Sequence, residues 1–422
     1  MLFSDFLPIL IVLFSVYFLF KLRFFFILHP IKCIKEMLHA LGDKQSRRSL
    51  CLALAGTLGV GNIVGVAIGI IIGGAGCVFW IFVSGFFSSV LKYCECALSA
   101  DYKGCDGGGM QYTIKRSFRR IGNPLSKIYA FLCFFLSLSM GSLFQSNAVS
   151  KSLFDSVKIP SYISSFIFTL AVLITVCFFA SKIDRFTELV IPFTTLVYIV
   201  IMLGVIFANF SRLPDTLALI IREAFTPVAL CGGAFSFLSS GAIKEGFARG
   251  LLSNEAGAGT SAGAQTRQEG RGHVVGLMGM CEVFFDTTLL CTLTGVAIIA
   301  GTQNISSFKT GTDLIINTVK SSIGIFPTLL VPLLIFLFAY STVICWYFYG
   351  GECLYFLCGK RKSRAYRVFF LLASFLGAFI KIESIVLFVD VILFFMTFIT
   401  LLTLKKNSER IYVLSEKGGL LK

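Results

Sequence analysis

The sequence predicts an all-α polytopic membrane protein, with about eleven transmembrane helices arranged as one extra N-terminal helix followed by two inverted repeats of five. Three observations lead there: the overall apolarity of the chain, apolar runs of span length, and two glycine clusters set five helices apart. Of 422 residues, 56% are hydrophobic and 14% charged, and the mean hydropathy of +0.86 lies well outside the range of a soluble domain. A bilayer span takes about 20 apolar residues. The apolar runs are long and continuous, which disfavours the alternating strands of a membrane barrel.

Apolar runs bounded by charge, Gly or Pro fall at 2–20, 50–72, 77–99, 125–149, 161–180, 187–209, 226–250, 274–300, 323–357, 366–382 and 383–404. The run at 2–20 has no basic residue before it and is followed by further spans, so it reads as a retained helix and not as a cleaved leader. Residues 50–209 form the first repeat, 226–404 the second, and 405–422 a tail, all within one membrane domain. The net charge of +15 would point to nucleic acid in a soluble protein. Here it is topological, because basic residues are retained on the cytoplasmic face. With the N-terminus outside, segments 21–49, 100–124, 181–187, 244–272, 358–367 and 405–422 carry 28 Lys and Arg, against 7 on the other side. The C-terminus is then cytoplasmic, and the compartment is the inner (plasma) membrane.

Several chemistries are disfavoured by what the sequence contains. The fourteen cysteines show no C-x-x-C pair and sit mostly among Phe and Leu, as free core residues. His29, His39 and His273 form no cluster, which supports neither a metal site nor a histidine proton relay. No nucleophile or carboxylate pair near a membrane face supports an enzyme.

The informative positions are those that break membrane rules. Gly56, Gly59, Gly61 and Gly65 surround Asn62 in the second span, and Gly232 and Gly233 precede Phe235 in the seventh. Close helix packing through G-x-x-x-G explains either cluster alone. Their matching positions in two halves favour discontinuous helices, whose freed amides and carbonyls hold a carboxylate and a cation. Ser341 and Thr342 in the ninth span add hard hydroxyl oxygens, unless they simply bond back to their own helix. Glu95, Glu282, Asp286, Glu352 and Asp390 are ionisable residues within spans. Glu282 and Glu352 read as solvated span ends, whereas Glu95 and Asp286 read as partners for amides released by unwinding.

These residues resemble the alanine/glycine:cation symporters, often called sodium:alanine symporters, over roughly residues 12–404. The matching strings are Gly59-Val60-Gly61-Asn62-Ile63, Gly73-Gly74-Ala75-Gly76, Phe144-Gln145-Ser146-Asn147, Asp286-Thr287 and Trp346-Tyr347-Phe348-Tyr349-Gly350. The most specific is Ala248-Arg249-Gly250 leading to Ser253-Asn254-Glu255-Ala256-Gly257. The resemblance implies a LeuT-type inverted repeat that imports a small neutral amino acid, alanine or glycine, with Na+ by alternating access. It implies that Gly59, Gly61, Asn62, Gln145, Phe235, Thr342 and Trp346 line the substrate pocket, and that Gly59, Ser341 and Thr342 hold Na+. Arg249, Asn254 and Glu255, with Glu95 and Asp286, are expected in gating and structural roles, Arg249 and Glu255 on the cytoplasmic side without substrate contact. Val60 stands where the family often has Thr, and Gly107-Gly108-Gly109-Met110 where it usually has G-G-P-M. The alternatives are a proton-coupled permease of the same fold, with H+ as the coupling ion, and a membrane receptor or enzyme. The partners are the amino acid and the bilayer, with no nucleic acid, and the sequence sets no oligomeric state.

The count of basic residues predicts that reporter fusions at Ser408 and within 303–312 lie on opposite faces of the membrane. Reporters on the same face would remove both the eleven-span arrangement and the repeat.

Overall fold

The computed structural model describes residues 2–102, 108–179, 183–225, 241–265, 272–359 and 363–418, and among these residues it is helical with no strand. The chain opens with α1 (Leu2–Lys21), α2 (Phe25–Leu28), α3 (Pro30–Gly42) and α4 (Lys44–Thr57). Pro30 starts α3, where its missing N–H costs nothing. The Asp43 carboxylate caps α4 by accepting from Ser46 N at 2.9 Å. After a break the chain continues as α5 (Val64–Gly73), inclined 62° to α4. Gly74, at φ +75, ends α5 in the left-handed conformation that suits glycine.

The first half is completed by α6 (Gly76–Asp101), α7 (Met110–Ser117), α8 (Gly122–Leu138), α9 (Gln145–Val157), α10 (Ser161–Phe178), α11 (Ile183–Ala208) and α12 (Leu213–Ala224). The second follows with α13 (Gly241–Asn254), α14 (Ala262–Gln265), α15 (Gly272–Val283), α16 (Thr292–Gly301), α17 (Gly311–Ile323), α18 (Ile325–Cys358), α19 (Ser363–Leu376), α20 (Ile382–Lys406) and α21 (Ser408–Lys417). Two π-helical turns interrupt otherwise continuous helices, Ser139–Phe144 between α8 and α9 and Phe284–Cys291 between α15 and α16. Such turns widen the backbone spiral and free local hydrogen-bonding groups.

Among the described residues seven helices, or eight if the bent α4–α5 pair is one span, are long and apolar enough to cross a bilayer. Among the described residues α13 and α19 are 14 residues each and fall short of that length. Of the expected seventh span, 226–250, residues 226–240 lie outside the described residues, and so do the second glycine cluster and Phe235. The amphipathic connections α3, α12 and α17 are helices that the search for apolar runs did not reveal. Phe166, Leu189, Phe193 and Phe207, on α10 and α11, are exposed apolar side chains that suit contact with lipid. Of the cysteines described, only Cys177 and Cys358 are exposed.

Small residues let the inner helices approach one another. A Cβ on Gly276 would lie 2.7 Å from the Tyr93 ring, and one on Gly141 would overlap the Trp346 side chain, with Trp346 Cγ at 2.6 Å. Gly42, by contrast, faces nothing within 4 Å. Overpacking a tight contact costs about 1–3 kcal/mol. Gly141→Ala is therefore expected to lower the unfolding temperature of the purified protein in detergent, while Gly42→Ala leaves it unchanged or slightly raised.

Candidate functional site

The α4–α5 break places irregular backbone inside the bundle, where each polar group needs a partner. Leu58 N donates to Leu54 O at 2.6 Å, and Gly59 N reaches Thr57 O at 2.7 Å and Asn62 Oδ1 at 3.1 Å. Val60 N donates to Gln145 Oε1 at 3.1 Å, and Gln145 Nε2 donates in turn to Met140 O at 3.3 Å, within the π turn. The carbonyls of Ala55 and Leu58 accept from Thr342 Oγ1 at 3.0 and 3.3 Å. Only glycine fits at position 59, because a Cβ there would lie 2.8 Å from Thr342 Oγ1 and 3.2 Å from the Gln145 amide.

The structure thus brings Gly59, Asn62, Gln145 and Thr342 to one point. Trp346 lies fully buried one turn further along α18, with its indole N–H unpartnered among the described residues. Ser341 departs from the expected cation set, since its hydroxyl bonds back to Phe338 O at 2.9 Å on its own helix. A small cavity lined by Leu58, Gly59, Asn62, Tyr198 and Phe338 has no room for one water molecule.

Asn62 faces the other way, into a polar network. Its Nδ2 donates to Asp286 Oδ1 at 2.6 Å and to Ser253 Oγ at 2.8 Å. Asp286 Oδ2 accepts from Ser253 Oγ at 2.5 Å and from Thr287 Oγ1 at 2.8 Å. Asn254 Nδ2 donates to Thr287 Oγ1 at 2.9 Å. Asp286 therefore draws its donors from side chains, not from unwound amides.

The S-N-E-A-G string holds a second break. Residues 255–261 are irregular and buried, with Glu255 at φ +54, Gly257 at +81 and Gly259 at +76. Glu95 Oε2 accepts from Gly257 N at 2.8 Å and Gly259 N at 3.1 Å. Asn254 Oδ1 takes Ala256 N at 2.9 Å, and the Tyr129 hydroxyl donates to Ala258 O at 2.6 Å. Glu255 is fully buried and bonded to the Thr260 hydroxyl. The segment expected as a cytoplasmic helix-loop device is thus packed against the first break, with Gly61 facing Leu252 O.

Two further expectations are corrected by this packing. A Cβ on Gly69 would meet Arg249, and one on Gly73 would meet Glu245, so α13 runs antiparallel to α5. Lys244 and Arg249 consequently lie in the half opposite to residues 21–49 and do not belong to the inner-face tally. Glu282, expected at a solvated span end, is wholly buried, 3.1 Å from Lys92 Nζ. Lys92 is itself completely buried, 3.6 Å from Glu95, and donates to Asn254 O at 2.8 Å. It is the functional-region residue that the sequence reading missed; the signal was a lysine set three residues before Glu95 in an apolar run. Glu352 is exposed, in keeping with a solvated end.

Removing one partner of a buried ion pair costs about 3–5 kcal/mol. Lys92→Met is expected to destabilise the protein by that order, and Glu282→Gln in the same chain to restore part of the loss. Thermal unfolding of the single and double variants measures the coupling, and simple additivity would show that the pair contributes nothing.

The chain and its fold are similar to known transporters. Residues 1–413 match the model of the sodium:alanine symporter family. The chain is 33% identical to an uncharacterized transporter of Haemophilus influenzae over 378 residues, covering 86% of this chain and 81% of that protein. It is 32% identical to the sodium/alanine symporter AgcS of Methanococcus maripaludis, covering 80% of this chain and 76% of the relative. Its fold resembles the manganese transporter of Eremococcus coleocola, with a TM-score of 0.54 at 13% identity over 83% of this chain and 75% of that one. A family match over nearly the whole chain, joined to a helical membrane fold with a broken helix at its centre, leads to one conclusion: this chain belongs to the sodium:alanine symporter family.

Proposed function

We propose that the protein imports a small neutral amino acid, alanine or glycine, together with Na+ across the plasma membrane. The observation that carries this reading is the meeting of Thr342 Oγ1 with the carbonyls of Ala55 and Leu58 at the end of α4. A hydroxyl and two carbonyls are hard, uncharged oxygen donors, and they would ligate Na+ once the Thr342 hydroxyl keeps its proton but turns it away from the two carbonyls. Ser341 joins this set by turning its hydroxyl away from Phe338 O, and Gly59 supplies adjacent backbone.

The amino acid sits beside the same break. The free end of the broken helix faces a carboxylate with positive dipole and amide N–H groups near Gly59 and Gly61. Gln145 and Trp346 bound the pocket. Alternating access opens this site by moving α4–α5 against α18, whose Thr342 bonds to the Ala55 and Leu58 carbonyls. The Glu95-held segment at 255–259 and the Asp286 network brace that movement, and Arg249, Asn254 and Glu255 take gating parts in it. The repeat arrangement, with its N-terminus outside and C-terminus inside, provides two halves that rock against each other.

Proton coupling is the second reading, favoured by the buried carboxylates of Asp286 and Glu95 beside the two breaks. The two readings separate in proteoliposomes. With Na+ as the coupling ion, alanine uptake follows an imposed Na+ gradient at constant pH. Thr342→Val then raises the Na+ concentration for half-maximal uptake about tenfold or more. Uptake indifferent to Na+, driven by an inward pH gradient and abolished by Asp286→Asn or Glu95→Gln, would replace Na+ with H+.

A further inference from the structure

The connection between α1 and α4 carries an apolar face that no described residue covers. Within α3, Cys33 and Ala40 are buried and Met37 is half-buried, on the side of the helix that packs against α15 and α4. About a third of a turn round from that seam, Ile31, Ile34 and Leu38 are 70%, 54% and 62% exposed. Lys32, Lys35 and His39 repeat the same spacing one residue further on, so a basic edge runs alongside the apolar one. Glu36 follows, between Lys32 and the seam. Lys35 is exposed, with no acidic partner among the described residues.

The place of α3 in the chain limits what its apolar face can meet. At the end of α1, the Lys21 ammonium and the Arg23 guanidinium lie 5.8 and 5.7 Å from the Tyr412 ring. Such a cluster of basic and aromatic side chains marks a membrane–water boundary. Exposed apolar side chains lead from Leu13 and Phe20 on α1, through Leu28, to Ile31 on α3. The face on α3 therefore continues the lipid-facing side of α1. Through the Asp43 cap the chain then turns directly into α4.

We propose that α3 lies in the membrane interface, with Ile31, Ile34 and Leu38 among the acyl chains, and that Lys32 and Lys35 bind the phosphate of an anionic phospholipid. A lysine beside an apolar edge lays its stem along that edge and delivers its ammonium at headgroup level. A zwitterionic lipid brings an ammonium of its own against the two lysines. An anionic lipid brings none, and each lysine near the surface then contributes about a fivefold preference. This surface is independent of the substrate and of the coupling ion.

The test reads a single position in the whole chain. Leu38→Trp is reconstituted in phosphatidylcholine containing a minor share of either phosphatidylcholine or phosphatidylglycerol brominated on its acyl chains, and the emission of the parent chain is subtracted. The added indole is expected to be quenched by both lipids, with phosphatidylglycerol associating at least about fivefold more strongly. Lys32→Gln combined with Lys35→Gln is expected to make the two lipids equal, and high salt to narrow the difference. If Leu38→Trp fails to fold, Ile34→Trp reports from the same face. No quenching by either lipid would overturn the proposal; a doubled mass by light scattering would then identify a second copy of the chain as the cover. Equal quenching by the two lipids, or a phosphatidylglycerol preference that survives the loss of both lysines, would overturn the anionic site.

Discussion

An unpaired backbone amide in hydrocarbon costs several kcal/mol, and most of the interior of this protein follows from meeting that demand at two places. The α4–α5 break and the 255–261 segment each expose peptide groups at a depth where lipid offers no partner. Gln145 reaches one from α9, Thr342 from α18, Glu95 from α6 and Tyr129 from α8. Four separate helices are thus tied to two short stretches of irregular chain. The π turn before Gln145 belongs to the same logic, since Met140 O within it accepts from the side chain that holds Val60 N.

Carboxylates used as backbone caps bring a charge problem with them. Glu95 spends one oxygen on two amides, and its charge is answered by Lys92, which also serves Glu282 and Asn254 O. Asp286 meets its need differently, through three neutral donors on Asn62, Ser253 and Thr287. One buried lysine therefore links α6, α15 and the end of α13, and the two breaks share walls through Asn62 and Ser253. Movement at one break cannot leave the other unaffected, because their hydrogen bonds run through common side chains.

The features with local signatures were legible in the sequence. Apolar runs gave the long helices, and four glycines around Asn62 gave the first break, because the backbone there needs both conformational freedom and space against Thr342 and Gln145. What escaped was whatever depends on partners distant in sequence. Lys92 and Glu282 are 190 residues apart, and nothing in either neighbourhood announces their pairing. Gly257 and Gly259 sit among charged and small residues that read as an exposed loop; only the arrival of Glu95 from α6 makes their burial tenable. Amphipathic α17 was passed over because a search for uninterrupted apolarity discards helices with one wet face.

The close packing at Gly141 has a practical side. The chain has two tryptophans, and they occupy different surroundings. Trp80 donates its indole N–H to Ala224 O at 3.0 Å and lies edge-on to Phe225. Trp346 sits over Gly141 beside the first break, with the Tyr349 ring 5.5 Å away. A chain in which Trp80 is replaced by phenylalanine keeps a single indole, beside the first break. Its emission wavelength and quenching then serve as a native optical gauge of how wet that centre becomes, with no dye attached and no cysteine altered.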